Sequence, residues 1–338
     1  MLAAVAAGEG LVTARALHER GIDARLIAGW VRRGRLVVVR RGVYTTAELW
    51  ESWDPYRQRP IARVRAVDLT LQVPHVVSHD SSALLQRVPL LRPQDAAPHV
   101  TRRHMRASLT QAGVHHHGAR YPDRRVVEVD GLRVLDVPRT VIDLTREHGY
   151  RAGLVAADGA MQLGVSRAEL AAAAAEIRGW PYSLTVDAVV ADADPGAESV
   201  LETLARELAA EAGLGPVETQ FPVRIPGVVA WIDLRVGCHL IEADGRIKFQ
   251  RASEGGVADG DAEQVAWDER RRQHLVCAEG LGMTRLVYAD CAGVAREQAK
   301  RRLLDEYAVT VRRFGTRLPP HLEEFAALMR GRRYQATG

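Results

Sequence analysis

The sequence predicts a mixed α+β protein of several domains, and three observations support this. Its 338 residues suffice for two or three domains at about 150 residues each. With 47% hydrophobic and 26% charged residues, the composition is that of a globular protein, which excludes a disordered tail, a collagen-like fibre and a disulfide-rich miniprotein. Helical and strand-like patterns alternate along the chain, so we expect helices and sheets together.

Basic residues are concentrated near the start of the chain. The whole sequence holds 46 Lys+Arg and 42 Asp+Glu, a net charge of +4, whereas residues 1–65 hold 12 arginines and 6 acids, an excess of +6. A basic segment of this kind is typical of a nucleic-acid-binding surface. Only Lys248 and Lys300 are lysines, a bias that a GC-rich genome also produces.

The cysteines and the hydropathy pattern predict a cytoplasmic protein. Cys238, Cys277 and Cys291 form no CxxC pair, which argues against a disulfide framework and a thiolate zinc site and favours a reducing compartment. The sequence contains no run of 18 apolar residues, so we expect no transmembrane helix. The first residues lack the basic start of a signal peptide.

The first fifty residues predict a winged helix-turn-helix domain, assigned to 1–50. Residues 1–7 look helical, Thr13 can cap a helix over 14–20, and Asp23 can cap a third helix over about 24–33. The segment RLVVVRRGVYT then reads as a β-hairpin with its turn near Arg40-Arg41-Gly42. The order of three helices and a basic hairpin is that of a winged helix-turn-helix, while a small helical bundle with solvated arginines is the alternative.

Five arginines of this segment are the predicted contacts to duplex DNA. Arg25 and Arg32 would face the groove, and Arg33, Arg40 and Arg41 would meet phosphates. Contacts to phosphates release counterions, so we expect binding that weakens steeply as salt rises.

Residues 8–46, ending in RxGRLxxxRRGVY, resemble the N-terminal winged domain of AbiEi-type antitoxins, the repressor half of type IV toxin–antitoxin pairs. The stretch HVVSHDSSALLQRVPLL and the segments that follow, to about residue 163, continue the resemblance through a middle α/β domain assigned to 51–190. The resemblance implies a DNA-binding regulator whose middle domain serves partner contact or dimerisation. A cognate toxin protein is the partner that it implies.

Three consecutive histidines, His115, His116 and His117, stand in a predicted strand of the middle domain. Neighbouring residues of a strand point to opposite faces, so these three side chains cannot readily chelate one ion. We therefore expect a solvated or partner-facing strand here and no metal site.

A carboxylate cluster is predicted near the C-terminus. Asp194-Pro195 is expected to begin a helix that carries Glu198 on the edge of its apolar face. A three-stranded meander follows, in which the period of two lets Asp233, Glu242 and Asp244 converge. Clustered carboxylates repel one another unless a cation neutralises them, so Mg²⁺ or Mn²⁺ is the expected cofactor. Solvated carboxylates on a half-exposed sheet are the alternative.

Residues 192–291, above all EADGRIKF and WDERRRQHL, resemble a Vsr-like domain of the PD-(D/E)XK restriction-endonuclease-like superfamily that is found fused to AbiEi-type N-termini in actinobacteria. The resemblance implies that Asp233 and Glu242 bind Mg²⁺ and that Glu198 is the outer helix carboxylate. It also offers Arg270 and Arg271 as phosphate contacts. The domain is assigned to 191–310, and 311–338 to a C-terminal tail.

The sequence departs from that superfamily at one position. A lysine usually stands two residues after the second acidic ligand, where this chain has Asp244. Lys248 is the substitute we consider, although it could equally lie exposed on a loop. The full catalytic set is thus Glu198, Asp233, Glu242, Asp244 and Lys248.

Two functions follow from these patterns. The first is a Mg²⁺-dependent endonuclease directed to DNA by the winged domain, with RNA as the other substrate to be tested. The second is a non-enzymatic antitoxin-type regulator whose C-terminal domain keeps a nuclease fold without turnover.

Overall fold

The computed structural model describes residues 10–91, 97–226, 228–244 and 262–336. The chain forms two compact units, a first unit over Met1–Ala193 and a second unit over Asp194–Gly338. Both contain helices and sheets, so the chain is a multidomain α+β protein. The predicted helix over 1–7 and Lys248 lie outside the described residues.

The first unit has two sheets and nine described helices. Its strands are β1 (Val12–Thr13), β2 (Leu36–Arg40), β3 (Val43–Thr46), β4 (Val76–Val77), β5 (His99–Arg102), β6 (Leu109–Gln111), β7 (Val114–Gly118), β8 (Val126–Val129) and β9 (Leu132–Leu135). Its helices are α1 (Ala14–His18), α2 (Ala24–Arg32), α3 (Ala47–Ser52), α4 (Gln58–Asp68), α5 (His79–Gln86), α6 (Val137–His148), α7 (Tyr150–Gln162), α8 (Arg167–Ala175) and α9 (Ser183–Asp192).

Two of the three predicted N-terminal helices and the hairpin are confirmed. Thr13 caps α1 by accepting the Ala16 amide, and Asp23 caps α2 by accepting the Leu26 amide. Strands β2 and β3 form the hairpin, and β1 pairs with β3 to complete a three-stranded sheet in the order β1-β3-β2. Apolar side chains of both helices and two strands meet in one small core, made by Val12, Leu17, Ile27 and Leu36.

A second small core joins this sheet to the next part of the chain. Ala62 and Ala66 of α4 pack with Leu11 and Val43, all of them buried. The predicted boundary after residue 50 therefore falls inside one packed unit, whereas the division between units lies at Ala193 and Asp194.

The larger sheet of the first unit has six strands in the order β6-β7-β5-β4-β9-β8. The pairs β5–β7 and β4–β9 are parallel, and the other pairs are antiparallel. Helices α5 to α9 form the main apolar core beside it. The expectation of a solvated or partner-facing strand at 115–117 is wrong, because His116 and His117 are only 5% and 7% exposed.

The second unit has one described sheet of four strands. The strands are β10 (Glu218–Ile225), β11 (Val228–Val236), β12 (His239–Ala243) and β13 (Gly282–Leu286). The described helices are α10 (Val200–Glu211), α11 (Ala262–Cys277), α12 (Gly293–Phe314) and α13 (Pro320–Ala336). The first three strands are antiparallel in chain order, as the meander pattern predicted. Strand β13 adds to β12 in parallel after α11.

Helix α13 belongs to the core of the second unit. Its Leu322 and Ala326 are buried against Phe221 and Val223 of the first strand. The segment 311–338, expected to be a C-terminal tail, instead contains the end of α12 and all of α13. Burial of this apolar face on the sheet explains why the segment is helical.

A buried histidine ties the sheet of the second unit to α12. His239 is 1% exposed, and its Nδ1 and Nε2 lie 2.7 Å and 2.9 Å from the hydroxyl oxygens of Thr310 and Thr284. Burial lowers the pKa of His239 to about 4, so the side chain is neutral at neutral pH.

No described helix is both long and apolar enough to cross a lipid bilayer.

Candidate functional site

The basic face of α2 is exposed because the opposite face fills the N-terminal core. Ile27 is buried, while Arg25, Arg32 and Arg33 are exposed. Arg33 folds back over Gly29, where an added Cβ would lie 3.2 Å from its Nη2. Glycine at 29 thus leaves room for the guanidinium against the helix.

The two hairpin arginines differ in what they contact. Arg41 stands exposed at the tip. Arg40 is half-buried, and it donates from Nε to the Thr70 hydroxyl at 3.0 Å and from Nη1 to the Ala112 carbonyl at 2.9 Å. Arg40 therefore has fewer free donors for a phosphate than the other four arginines, and its predicted DNA contact stays a prediction.

In the second unit, Asp233 and Glu242 stand on neighbouring antiparallel strands. Leu234 pairs with Ile241, so Asp233 and Glu242 occupy the next position of the same register. Asp233 Oδ2 accepts a hydrogen bond from the Ala243 amide at 2.8 Å. The Asp233 side chain on β11 thus accepts a hydrogen bond from a backbone amide of β12, just beyond the last backbone pair between the two strands.

Arginines compensate the charge of the two acidic residues on and after β12. Glu242 is only 7% exposed and accepts from Arg272 Nη2 at 2.6 Å, while its other oxygen lies 3.5 Å from Arg285 Nη2. Asp244 lies 3.5 Å from Arg285 Nη1. Each carboxylate therefore has a cationic partner, which a buried or half-buried acid requires.

Among the arginines of α11, the one nearest the carboxylates is Arg272. Arg270 and Arg271, the predicted phosphate contacts, are exposed. Arg272 is the next residue, and its rotation about the helix axis brings it to Glu242. The sequence ERRR thus predicts the turn of α11 that faces the carboxylates, but only the packing of α11 on the sheet determines that Arg272 is the residue in contact with Glu242.

The prediction for Glu198 is wrong in one respect, because Glu198 precedes the helix. Helix α10 begins at Val200 with Ser199 as its N-cap, and Glu198 is exposed. Asp194, expected to cap the helix, instead accepts from the Gly196 amide in the turn before it. The N-cap is therefore Ser199, five residues after Asp194, because the Ser199 hydroxyl accepts a hydrogen bond from the amide of Glu202 in the first turn of the helix.

The buried helix carboxylate is Glu202, which is not among the predicted site residues. Glu202 is 9% exposed and accepts from the Ser199 hydroxyl at 2.8 Å, the Glu198 amide at 2.8 Å and Gln220 Nε2 at 3.2 Å. The signal that could have identified it is SVLE, a serine followed three residues later by glutamate at the start of a helix.

The donor chemistry of Asp233 and Glu242 fits a hard divalent cation, since both offer carboxylate oxygens on adjacent strands. Among the described residues, however, the four predicted carboxylates do not bring three ligand atoms within 4.8 Å of one another. The set that does so is in the first unit and consists of His79, His99 and His117. Mg²⁺ binding in the second unit stays a prediction.

No protein-family model and no curated protein matches this sequence. Among solved structures, the crystal structure of the RV2827C protein from Mycobacterium tuberculosis is similar at 14% sequence identity, over 58% of this chain and 74% of that one, with a TM-score of 0.37.

Proposed function

We propose that the protein binds duplex DNA through a winged helix-turn-helix formed by residues 10–46. The observation that carries this is the exposed set of arginines on α2 and at the hairpin tip, namely Arg25, Arg32, Arg33 and Arg41. Within the part of the chain that the structure describes, no carboxylate pairs with these four guanidinium groups. Unneutralised arginines on a helix and an adjacent hairpin are typical of a surface that meets phosphates.

Arginine substitutions in this face should weaken DNA binding. Arg41→Ala should lower the slope of log affinity against log salt by about 1, since one phosphate contact is lost. Arg32→Ala should weaken binding further at every salt concentration. Fluorescence anisotropy with a labelled duplex over a salt series measures both effects.

Arg178→Ala is the matched control, because Arg178 is exposed in the same unit but lies outside residues 10–46. It should bind DNA as the wild type does. A wild-type affinity that does not change with salt, or equal weakening by Arg178→Ala, would contradict DNA binding through this face.

For the second unit we propose a restriction-endonuclease-like arrangement with a phosphodiester-cleaving site at Asp233 and Glu242. Support comes from the order of elements: helix α10, three antiparallel strands, helix α11 and a strand parallel to β12. Asp233 and Glu242 would hold Mg²⁺, and Arg272 would bind a phosphate oxygen. A bound Mg²⁺ supplies Lewis-acid polarisation of the phosphate and a more acidic water.

Cleavage should depend on both carboxylates. Incubation of the whole protein with DNA, and separately RNA, in Mg²⁺ or Mn²⁺ should give products that fall by at least about 100-fold in Asp233→Asn and Glu242→Gln. Metal should also raise the melting temperature of the wild type and not of these variants. Glu218→Gln is the control, since Glu218 lies in the same sheet and pairs with Arg235.

The second candidate is a non-enzymatic regulator of the antitoxin type, with a cognate toxin as its partner. One observation favours it: Arg272 and Arg285 already neutralise Glu242, so the cluster needs no cation for charge balance. DNA binding without cleavage of any substrate, and with no effect of Mg²⁺ or Mn²⁺ on melting, would support the regulator over the nuclease.

A further inference from the structure

Three histidines far apart in the sequence meet on one side of the six-stranded sheet. His79 begins α5, His99 begins β5, and His117 stands on β7, which pairs in parallel with β5. His79 has a backbone φ of +51°, in the left-handed region that residues other than glycine rarely adopt. We name His79, His99 and His117 the histidine cluster.

The candidate ligand atoms of the histidine cluster all lie within 4.8 Å of one another. His99 Nδ1 is 3.0 Å from His117 Nε2. Two nitrogens that share a tetrahedral zinc ion at about 2.0–2.1 Å lie about 3.3 Å apart, so this spacing needs little adjustment. His79 Nδ1 lies 3.0 Å from the Ser78 hydroxyl, which leaves its Nε2 as the third ligand atom.

The histidine cluster is enclosed and uncharged. Its members are 4%, 5% and 7% exposed. Burial lowers the pKa of His99 to about 3, and it lowers the pKa of His79 well below, and that of His117 below, the ordinary value of 6.5. The three rings are therefore neutral at neutral pH, which is the form of imidazole that binds metals.

A carboxylate stands behind one of the rings. Asp80 Oδ2 lies 3.9 Å from His99 Nε2 and 2.7 Å from His148 Nε2. When His99 binds through Nδ1, its Nε2–H faces this carboxylate, the arrangement that orients metal-bound imidazoles in proteins. Asp80 is thus a positioning residue for His99, and the half-exposed His148 connects it to the surface.

We propose that His79, His99 and His117 bind a divalent transition metal, with Zn²⁺ as the favoured ion. Three imidazole nitrogens suit zinc and its neighbours, whereas Mg²⁺ and Ca²⁺ require oxygen ligands. The rings of His79 and His117 are stacked with centroids 3.6 Å apart, so metal binding turns one ring out of the stack. These three residues are distinct from the arginines proposed to bind DNA and from the carboxylates of the second unit.

The test is direct metal titration of the tag-free full chain after removal of metal with EDTA. The wild type should bind one Zn²⁺ per chain, raise its melting temperature and give the visible absorption of four-coordinate Co²⁺. Millimolar Mg²⁺ should not displace the bound ion. Wild-type protein that takes up no Zn²⁺ and gives no Co²⁺ absorption would overturn the proposal whether or not any variant folds.

His116 provides a matched control for His117. It is the preceding residue of the same strand, equally buried, and it points to the opposite face. His117→Gln and His99→Gln should each weaken Zn²⁺ binding by at least about 100-fold, and Asp80→Asn by about 10- to 100-fold. His116→Gln should bind as the wild type does.

Circular dichroism identifies variants that fold. If folded His117→Gln binds Zn²⁺ as tightly as His116→Gln, the cluster is not the site and the proposal fails. If both lose binding equally while folded, the site is elsewhere and the proposal again fails.

Discussion

Replacing Arg139 with alanine should lower the free energy of unfolding of the first unit by about 3–5 kcal/mol. Arg139 Nε donates to Asp143 Oδ1 at 3.0 Å within α6, and both side chains are 1% exposed. Removal of the guanidinium leaves a buried carboxylate without its main cation. Arg139 also donates to the Arg120 carbonyl at 3.2 Å, and that acceptor loses its partner too.

Hydrogen exchange at the α6 amides, resolved by mass spectrometry, measures this loss within the first unit. Arg124→Ala is the comparison, because Arg124 pairs with Glu176 at 2.8 Å but its side chain is 68% exposed. An exposed pair of this kind contributes about 0–1 kcal/mol. Equal losses in both variants would show that burial of the Arg139 pair does not determine its contribution.

Mild acid should destabilise both units before their carboxylates titrate. The pKa of His99 is about 3 and that of His239 about 4, whereas unfolded histidine titrates near 6.5. Below pH 6.5 these histidines bind protons in the unfolded chain but not in the folded chain. The free energy of unfolding is therefore highest above pH 6.5 and falls as the pH drops below it. Through its histidine, each unit should lose about 2 kcal/mol of its free energy of unfolding between pH 7.5 and pH 5.

The first unit should lose more than the second. His79 adds to the effect of His99, because burial lowers its pKa well below the ordinary value. His75 offsets part of this: burial lowers its pKa, but the hydrogen bonds to Asp68 and to the Val73 carbonyl, together with the charge of Asp68, raise it above the ordinary value. Protection factors for each unit, measured in EDTA across this pH range, check the order.

His239→Gln isolates the contribution of the second unit. The variant lacks the titrating ring, so its second unit should lose about 2 kcal/mol less on acidification than the wild-type unit does. The first unit should respond as before. Unchanged pH dependence of the second unit in this variant would contradict the assignment to His239.

Local patterns predicted most of the elements because their determinants are close together in the sequence. The predicted cap of α1 at Thr13 and the predicted three-stranded meander after α10 are both present. The Asp23 cap and the hairpin after α2 were predicted for the same reason. Helix α13 was underestimated because its helical state depends on packing against β10.

The candidate sites were less predictable because they depend on pairing between distant segments. Alternation along β7 correctly separates His116 from its neighbours, but it says nothing of His79 and His99, which only the β5–β7 pairing and α5 bring near His117. At Glu198 a plausible local cap at Asp194 competed with the true cap at Ser199. The arginine partners of Glu242 likewise follow from the packing of α11 and β13.

The contacts of Arg40 tie the hairpin to one edge of the six-stranded sheet. Its guanidinium spans from β2 to Thr70 and to the turn between β6 and β7. Any molecule that displaced that turn would pull on the hairpin next to the arginine-bearing helix. The position of the hairpin is therefore coupled to that of the β6–β7 turn at the edge of the six-stranded sheet.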